Sequence, residues 1–401
     1  MIPRRRIVFE FDDLADAVRA LLAPPERAEA DVAAFERAFA RRVGVPHALA
    51  TASGRDALDL ILDGLGLRAG DELIVPAYTL GELLPLIAAR GIVAVPADTD
   101  PASLNVTPDS VARRLGPRTR AVLVVHLLGA PCDIRAICAL ADEHGVPVIE
   151  DCAHALGARI DGCSVGAFGR AALFSLEATK PVAAFGGGVC ATTDDALAAA
   201  IRARLSGRRR REWPAVRKAL VKFAEEMVVR SPAYGFLARL MFSGRRAGRF
   251  DRFYRRAHER VRGVAGAFTG FQARLALRRL ARVDARDRRL NRLRDELVAR
   301  LPARFVVQRR DGIGTPACYN LVALYDGDVV ALRAAAQRAG LDLGIGGEVM
   351  DDTARMLGFD DCPGAAHAYS RAVQIPLHDR MSRRRRERIL ATLDRVTGEL
   401  R

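Results

Sequence analysis

Nowhere in the 401 residues do 18 consecutive apolar residues occur, so no membrane-spanning helix is expected. The opening stretch MIPRRRIVFEFDDLADAV has no long apolar run and no small-residue cleavage site, so no signal peptide is expected either. Seven cysteines (Cys132, Cys138, Cys152, Cys163, Cys190, Cys318, Cys362) form an odd set without paired short spacings. That speaks against a disulfide framework and against a zinc site, and it fits reduced thiols in a cytoplasm; no metal is expected. Lysine is nearly missing. Of 63 Lys plus Arg only Lys180, Lys218 and Lys222 are lysine. Arginine serves wherever a charge suffices, because a guanidinium stays protonated and cannot attack a carbonyl, whereas an amine can. Lys180, the one lysine remote from the basic stretch described next, is therefore a candidate for chemistry.

What is present is a soluble composition, 50% apolar with 28% charged residues, in a chain long enough for two domains. The formal net charge of +15 sits almost wholly in one place: residues 202–262 hold 19 Lys plus Arg against 5 Asp plus Glu, which leaves about +1 for all the rest. Arg208 to Arg211 form a basic run there, and Val216, Leu220, Phe223 and Met227 follow at helical spacing beside Arg217, Lys218 and Lys222.

Residues 47–200 alternate short apolar runs with helical patterns. Val122–Val125 reads as a buried strand and residues 133–140 as an amphipathic helix, capped by Asp133 and stopped by Gly145. Residues 147–151 and Ala172–Ser175 read as further strands. Strands separated by helices imply an α/β fold with a mostly parallel sheet, whose ligands sit outside the carboxyl ends of the strands. Asp151 and Ser175 fall at those ends. A long helical pattern covers 271–300, a strand is expected at Tyr319–Leu324, and a helix closes the chain. Ser53-Gly54-Arg55 places a small-residue turn before a helix, where free backbone N–H groups suit a phosphate. His154 follows Asp151 by three residues, Ser175 precedes Lys180 by five, and Gly186-Gly187-Gly188 comes after.

Taken in order, these segments resemble the DegT/DnrJ/EryC1/StrS family of sugar aminotransferases, which use pyridoxal 5'-phosphate on fold type I, the aspartate-aminotransferase fold. The most specific matches are PVIEDCAHALG at Pro147 to Gly157, VGAFG at Val165 to Gly169, and Phe174 to Lys180. Val45–Ala48, Ile74–Thr79, Asp98–Asp100 and Ile375–His378 also lie where the family has similar runs. The resemblance implies a large domain over a mixed seven-stranded sheet, residues 1–275, with an insert at 203–262, and a smaller C-terminal α+β domain, residues 276–401. It implies that Lys180 carries the cofactor as a Schiff base and shuttles a proton, and that Asp151 faces the pyridinium nitrogen. His154 would meet the phenolic oxygen, while Ser175 with the Gly54–Arg55 backbone would hold the phosphate. A homodimer is implied, with an amino donor such as glutamate and a keto-sugar or sugar-like acceptor.

The sequence departs from the family pattern at Arg55, at Leu80 where an aromatic is common, and at Glu177 where a histidine is usual. Phe185-Gly186 replaces an acidic residue, and Val264 to Ala267 lacks an asparagine. A sugar-dehydrating branch of the family is a second reading, although it replaces the Schiff-base lysine with histidine. A third is a binding protein that keeps the fold without turnover. For 203–262 three roles stay open: a solvated or subunit-contacting excursion, a peripheral membrane binder, or a nucleic-acid contact. No helix-turn-helix or RNP-like motif accompanies the last.

Overall fold

The computed structural model describes residues 1–231, 234, 266–379 and 381–400. Its centre is a seven-stranded sheet in the spatial order His47–Thr51, Gly188–Thr192, Ala171–Ser175, Val148–Asp151, Thr119–Val125, Glu72–Pro76, Val93–Ala97. The two pairings at the Gly188–Thr192 strand are antiparallel and the other four are parallel. The central strands, such as Thr119–Val125, are nearly continuous apolar runs because helices cover both faces of the sheet. On one face the helix Pro25–Val43 lies against Gly270–Leu280, and Phe35, Phe39, Phe174, Phe268 and Phe271 interlock there without exposure above 1%. Burying each such ring contributes about 1.5–3 kcal/mol. On the other face Leu58, Ile61 and Leu62 of Gly54–Gly64 pack with Leu197 and Ile201 of Asp195–Leu205.

A second, antiparallel sheet runs Phe305–Val307, Leu321–Tyr325, Ala372–Ile375, Gly344–Ile345, backed by Val329–Arg338 and Arg383–Glu399. The chain's first residues reach this unit: Ile2 bridges Leu341, and Arg4 pairs with Glu348 at 2.5 Å.

Three local expectations shift. The helical pattern at 271–300 is two helices, Gly270–Leu280 and Val283–Val298, turning at Ala281 and Arg282; the 275/276 division falls within the first. The strand expected at Tyr319–Leu324 is Leu321–Tyr325, which leaves Tyr319 and Asn320 in the approach to it. Within 203–262, the helix Glu212–Arg230 is docked on the body: Val216 is buried, while Leu220, Phe223 and Met227 of the same expected stripe are 44%, 46% and 49% exposed. Phe236, Leu237, Leu240, Met241 and Phe242 lie outside the described residues, as do Val264 and Ala265. No described helix is long and apolar enough to cross a membrane.

Candidate active site

The strand registers bring Asp151 and Ser175 to one end of the sheet. Asp151 pairs with Val125 on one side and Leu173 on the other, and Ser175 sits opposite Gly188, which in turn faces Thr51. Two residues beyond Thr51, Ser53 caps the helix Gly54–Gly64, its Oγ accepting from the Asp56 N–H at 3.0 Å. The first N–H groups of that helix have no partner within it, and Gly54 lies against Ser175. Space is tight at Gly54 and absent at Gly188. A Cβ on Gly54 would stand 3.1 Å from the Cβ of Ser175, and one on Gly188 would stand 2.5 Å from the carbonyl of Ser53. Gly187 has φ +95° and donates its N–H to the Ala52 carbonyl at 3.1 Å. The triple glycine is thus a packing requirement of the turn. Arg55 reaches sideways, donating to Glu82 at 3.3 Å.

Asp151 is buried, and its Oδ1 accepts from the Ala153 N–H at 2.8 Å. Burial lifts its carboxyl above the usual aspartate range, against the opposing pull of that N–H and of the Lys180 and His126 charges. Behind it Glu150 is fully buried. Its two oxygens accept from Gly166 N–H (2.7 Å), Phe168 N–H (2.8 Å), Gly169 N–H (2.7 Å) and the His126 ring at 3.0 Å. This is the physical content of the VGAFG segment: its backbone wraps the carboxylate next to Asp151. His126, Glu150 and Cys152 place ligand-type atoms within 4.8 Å of one another. Four donors already fill the carboxylate's lone pairs, so the cluster is a hydrogen-bonded brace. Burial alone lowers the His126 pKa, but Cys132, Cys152 and Glu150 together raise it well above the ordinary histidine value.

Lys180 lies in the connection between Ala171–Ser175 and Gly188–Thr192, its backbone N–H donating to Glu177 O at 2.9 Å. Its Nζ stands 4.8 Å from the centre of the Tyr319 ring. Tyr319 stacks on His154 with centroids 4.1 Å apart and planes 13° from parallel, and its hydroxyl meets Thr179 Oγ1 at 3.2 Å. Burial raises the Tyr319 phenol, yet the Lys180 and Arg5 charges and the Thr179 hydroxyl more than offset it, to about 8. His154 is pushed well below the usual histidine value by burial, reinforced by the Lys180 and Arg5 charges. Its Nδ1 accepts from the Leu128 N–H at 3.4 Å, which leaves Nε2 as the N–H of a neutral ring. Beside Tyr319 and Thr179 opens a cleft of about 230 Å³, with Arg5, Asn320 and Arg230 on its walls.

All the predicted residues, Gly54, Arg55, Asp151, His154, Ser175 and Lys180, therefore belong to one region, although Arg55 turns its guanidinium to Glu82. Sequence reading missed Tyr319, Thr179 and Arg5. Tyr319 stands two residues before an apolar strand, and that position is the one signal that could have found it. Leu80, where an aromatic is common in the resembling family, is 40% exposed.

A likeness of fold extends over the entire chain. The crystal structure of the aminotransferase TlmJ from Streptoalloteichus hindustanus superposes on 100% of it and on 100% of its own length, with a TM-score of 0.79 at 24% identity. The chain belongs to the DegT/DnrJ/EryC1/StrS aminotransferase family, whose model matches residues 27–394. Over 170 residues it is 44% identical to the erythromycin biosynthesis sensory transduction protein EryC1 of Saccharopolyspora erythraea, 42% of this chain and 46% of that protein. Over 163 residues it is 37% identical to the GDP-perosamine synthase of Vibrio cholerae, 41% of this chain and 44% of that protein. The chain spans less than half the length of these curated relatives.

Proposed function

We propose that the protein is a pyridoxal 5'-phosphate-dependent aminotransferase that moves an amino group, with glutamate as donor, onto a keto-sugar or sugar-like intermediate. The observation that carries this reading is the convergence at one end of the sheet of a lysine amine, a buried strand-end aspartate and a helix N-terminus beside a serine. These donors suit the cofactor group by group: an amine for its aldehyde, a carboxylate for its ring nitrogen, and N–H groups with a hydroxyl for its phosphate. When bound, pyridoxal phosphate supplies the carbonyl that takes up an amino group and the conjugated ring that delocalises an electron pair.

The chain's own residues do the rest. Lys180 Nζ would hold the cofactor and, once free, would carry a proton to and from the substrate carbon. Asp151, buried and held by the Ala153 N–H, would place its carboxylate against the cofactor's cationic nitrogen, where low dielectric strengthens the attraction. The Tyr319–His154 stack fixes the approach to Lys180, with His154 neutral and Tyr319 able to share a proton with the amine. Ser175 and the backbone at Gly54 and Arg55 take the phosphate. Glu177, in place of the family's usual histidine, is satisfied within the chain by Lys218, which favours a retained catalytic loop over a lost one.

A large cofactor unit (1–275) and a smaller unit (276–401), a homodimer and a cytoplasmic setting belong to the same reading. So does peripheral contact of the 203–262 segment with a membrane surface. The reading is tested by adding pyridoxal phosphate to the purified protein and then glutamate or glutamine. The visible absorption of the bound cofactor should shift toward the near ultraviolet as the corresponding keto acid appears; an unchanged spectrum and no keto acid with either donor would reject it.

A further inference from the structure

Two neighbouring helices bury carboxylates and expose most of their large apolar side chains. In Phe11–Leu22 two of the three acidic residues point inward beside Ala17 and Ala20, with Asp12 left exposed: Asp13 and Asp16 are buried, held by Arg279 at 2.8 Å and Arg278 at 2.6 Å. Its apolar residues Phe11, Leu14, Val18, Leu21 and Leu22 fall on one face and point outward, with exposures of 89%, 57%, 50%, 44% and 80%. The helix Glu212–Arg230 repeats the pattern in part: Val216 and Ala219 are buried, but a carboxylate is buried with them and the larger apolar side chains face out. Glu226 is 3% exposed and accepts from Arg6 (2.8 Å), the Ile7 N–H (3.0 Å) and Arg230 (2.9 Å), while Lys218 turns inward to Glu177. Outward stand Trp213 at 56% exposed, Leu220, Phe223 and Met227. The helices touch, and Phe9, just before the first, meets Phe223 edge-on at 5.3 Å.

A water-facing helix has the opposite arrangement. Among the described residues these two touching helices hold eleven of the seventeen exposed large hydrophobics, a concentration beyond ordinary scatter. Its charged fringe is mainly basic: Arg209, Arg211 and Arg217 are exposed on or beside the second helix, with no carboxylate at ion-pair distance among the described residues, against the single exposed carboxylate of Asp12 on the first. A second copy laid on this face through a two-fold axis would bring arginine fringes together, at an electrostatic cost. Anionic headgroups around an apolar interior complement both features, and Trp213 suits the boundary between them.

We propose that the joint outer face of Phe11–Leu22 and Glu212–Arg230 is a docking surface for an anionic lipid bilayer. It sharpens the membrane contact named above by fixing the surface and by adding a helix outside the basic segment. Nothing in it depends on turnover.

The test is cosedimentation of the full-length protein with vesicles of phosphatidylcholine alone or with about one-third phosphatidylglycerol, alongside light scattering without lipid. The wild type should bind only the anionic vesicles, and less as salt rises. Phe11→Ser with Leu14→Gln should abolish binding while leaving the circular dichroism and melting unchanged. Arg209→Gln with Arg211→Gln and Arg217→Gln should weaken it roughly fivefold per arginine. No binding to either vesicle, or equal binding by all variants, would overturn the proposal. So would a wild-type dimer that these apolar substitutions split into monomers without any vesicle binding. Because the assay reads no turnover, its failure leaves the aminotransferase reading standing, and the reverse holds too.

Discussion

Lys218 Nζ donates to Glu177 Oε2 at 2.7 Å, tying the helix Glu212–Arg230 to the loop that carries Lys180. Gly186 makes room for this, since a Cβ there would stand 3.2 Å from the Lys218 Nζ. Burial raises the Glu177 carboxyl, but the Lys218 charge and hydrogen bond more than offset this and hold it below the ordinary glutamate range. A carboxylate held low contributes stability above its unfolded pKa and loses it as pH falls through the folded value. The Glu177 side chain is 42% exposed, so water screens the pair. A double-mutant cycle of Lys218→Met and Glu177→Gln should give a coupling of about 1 kcal/mol near neutral pH. The coupling should fade under acid conditions; one that persists unchanged there would show that the pair is not ionic.

Gly188→Ala should damage cofactor binding more than the fold. The added methyl meets the Ser53 carbonyl and the Gly54 nitrogen, both backbone atoms that cannot swing away. Overpacking of this kind costs about 1–3 kcal/mol, and here it displaces the helix N-terminus assigned to the phosphate. Equilibrium titration should show the affinity for pyridoxal phosphate falling roughly tenfold or more, while Gly116→Ala, at an open turn, should leave it unchanged.

Tyr319 should titrate near pH 8, about two units below a free phenol, because Lys180 and Arg5 face it. Below that pH the phenol is neutral, and above it a phenolate pairs with the amine. A near-ultraviolet difference titration of the cofactor-free protein should show one early tyrosine, and Tyr319→Phe should remove that step alone. If the step survives the substitution, the pairing with Lys180 is wrong.

Much of this was legible in the sequence because the signals were local. Apolar runs set the strands, and Asp133 caps its helix at Ala136 as its spacing suggested. Lys180 stood out through the scarcity of lysine, and Asp151 through its place at a strand end. What escaped were relations between distant residues. Periodicity marks a helix face but not whether that face looks in or out, and in Phe11–Leu22 and Glu212–Arg230 buried ion pairs reversed the usual choice. The Lys218–Glu177 pair joins residues 41 apart, and Tyr319 joins the site from 139 residues beyond Lys180. Nothing within either short segment announces such contacts.

Asp151→Asn should keep the cofactor bound but lower the single-turnover rate by about 10²–10³-fold, since a neutral amide cannot stabilise a cationic ring nitrogen. Stopped-flow measurement of the first half-reaction with glutamate separates this from weak binding. A loss of only a few fold would remove Asp151 from the chemistry.

The most direct measurement of the central claim is to reduce the pyridoxal phosphate-loaded protein with borohydride, digest it and locate the fixed cofactor by mass spectrometry. The label is predicted on Lys180 alone, with Lys218 and Lys222 unlabelled and with no stable adduct in Lys180→Ala. A label on either of the other lysines, or one that persists in Lys180→Ala, would contradict the account.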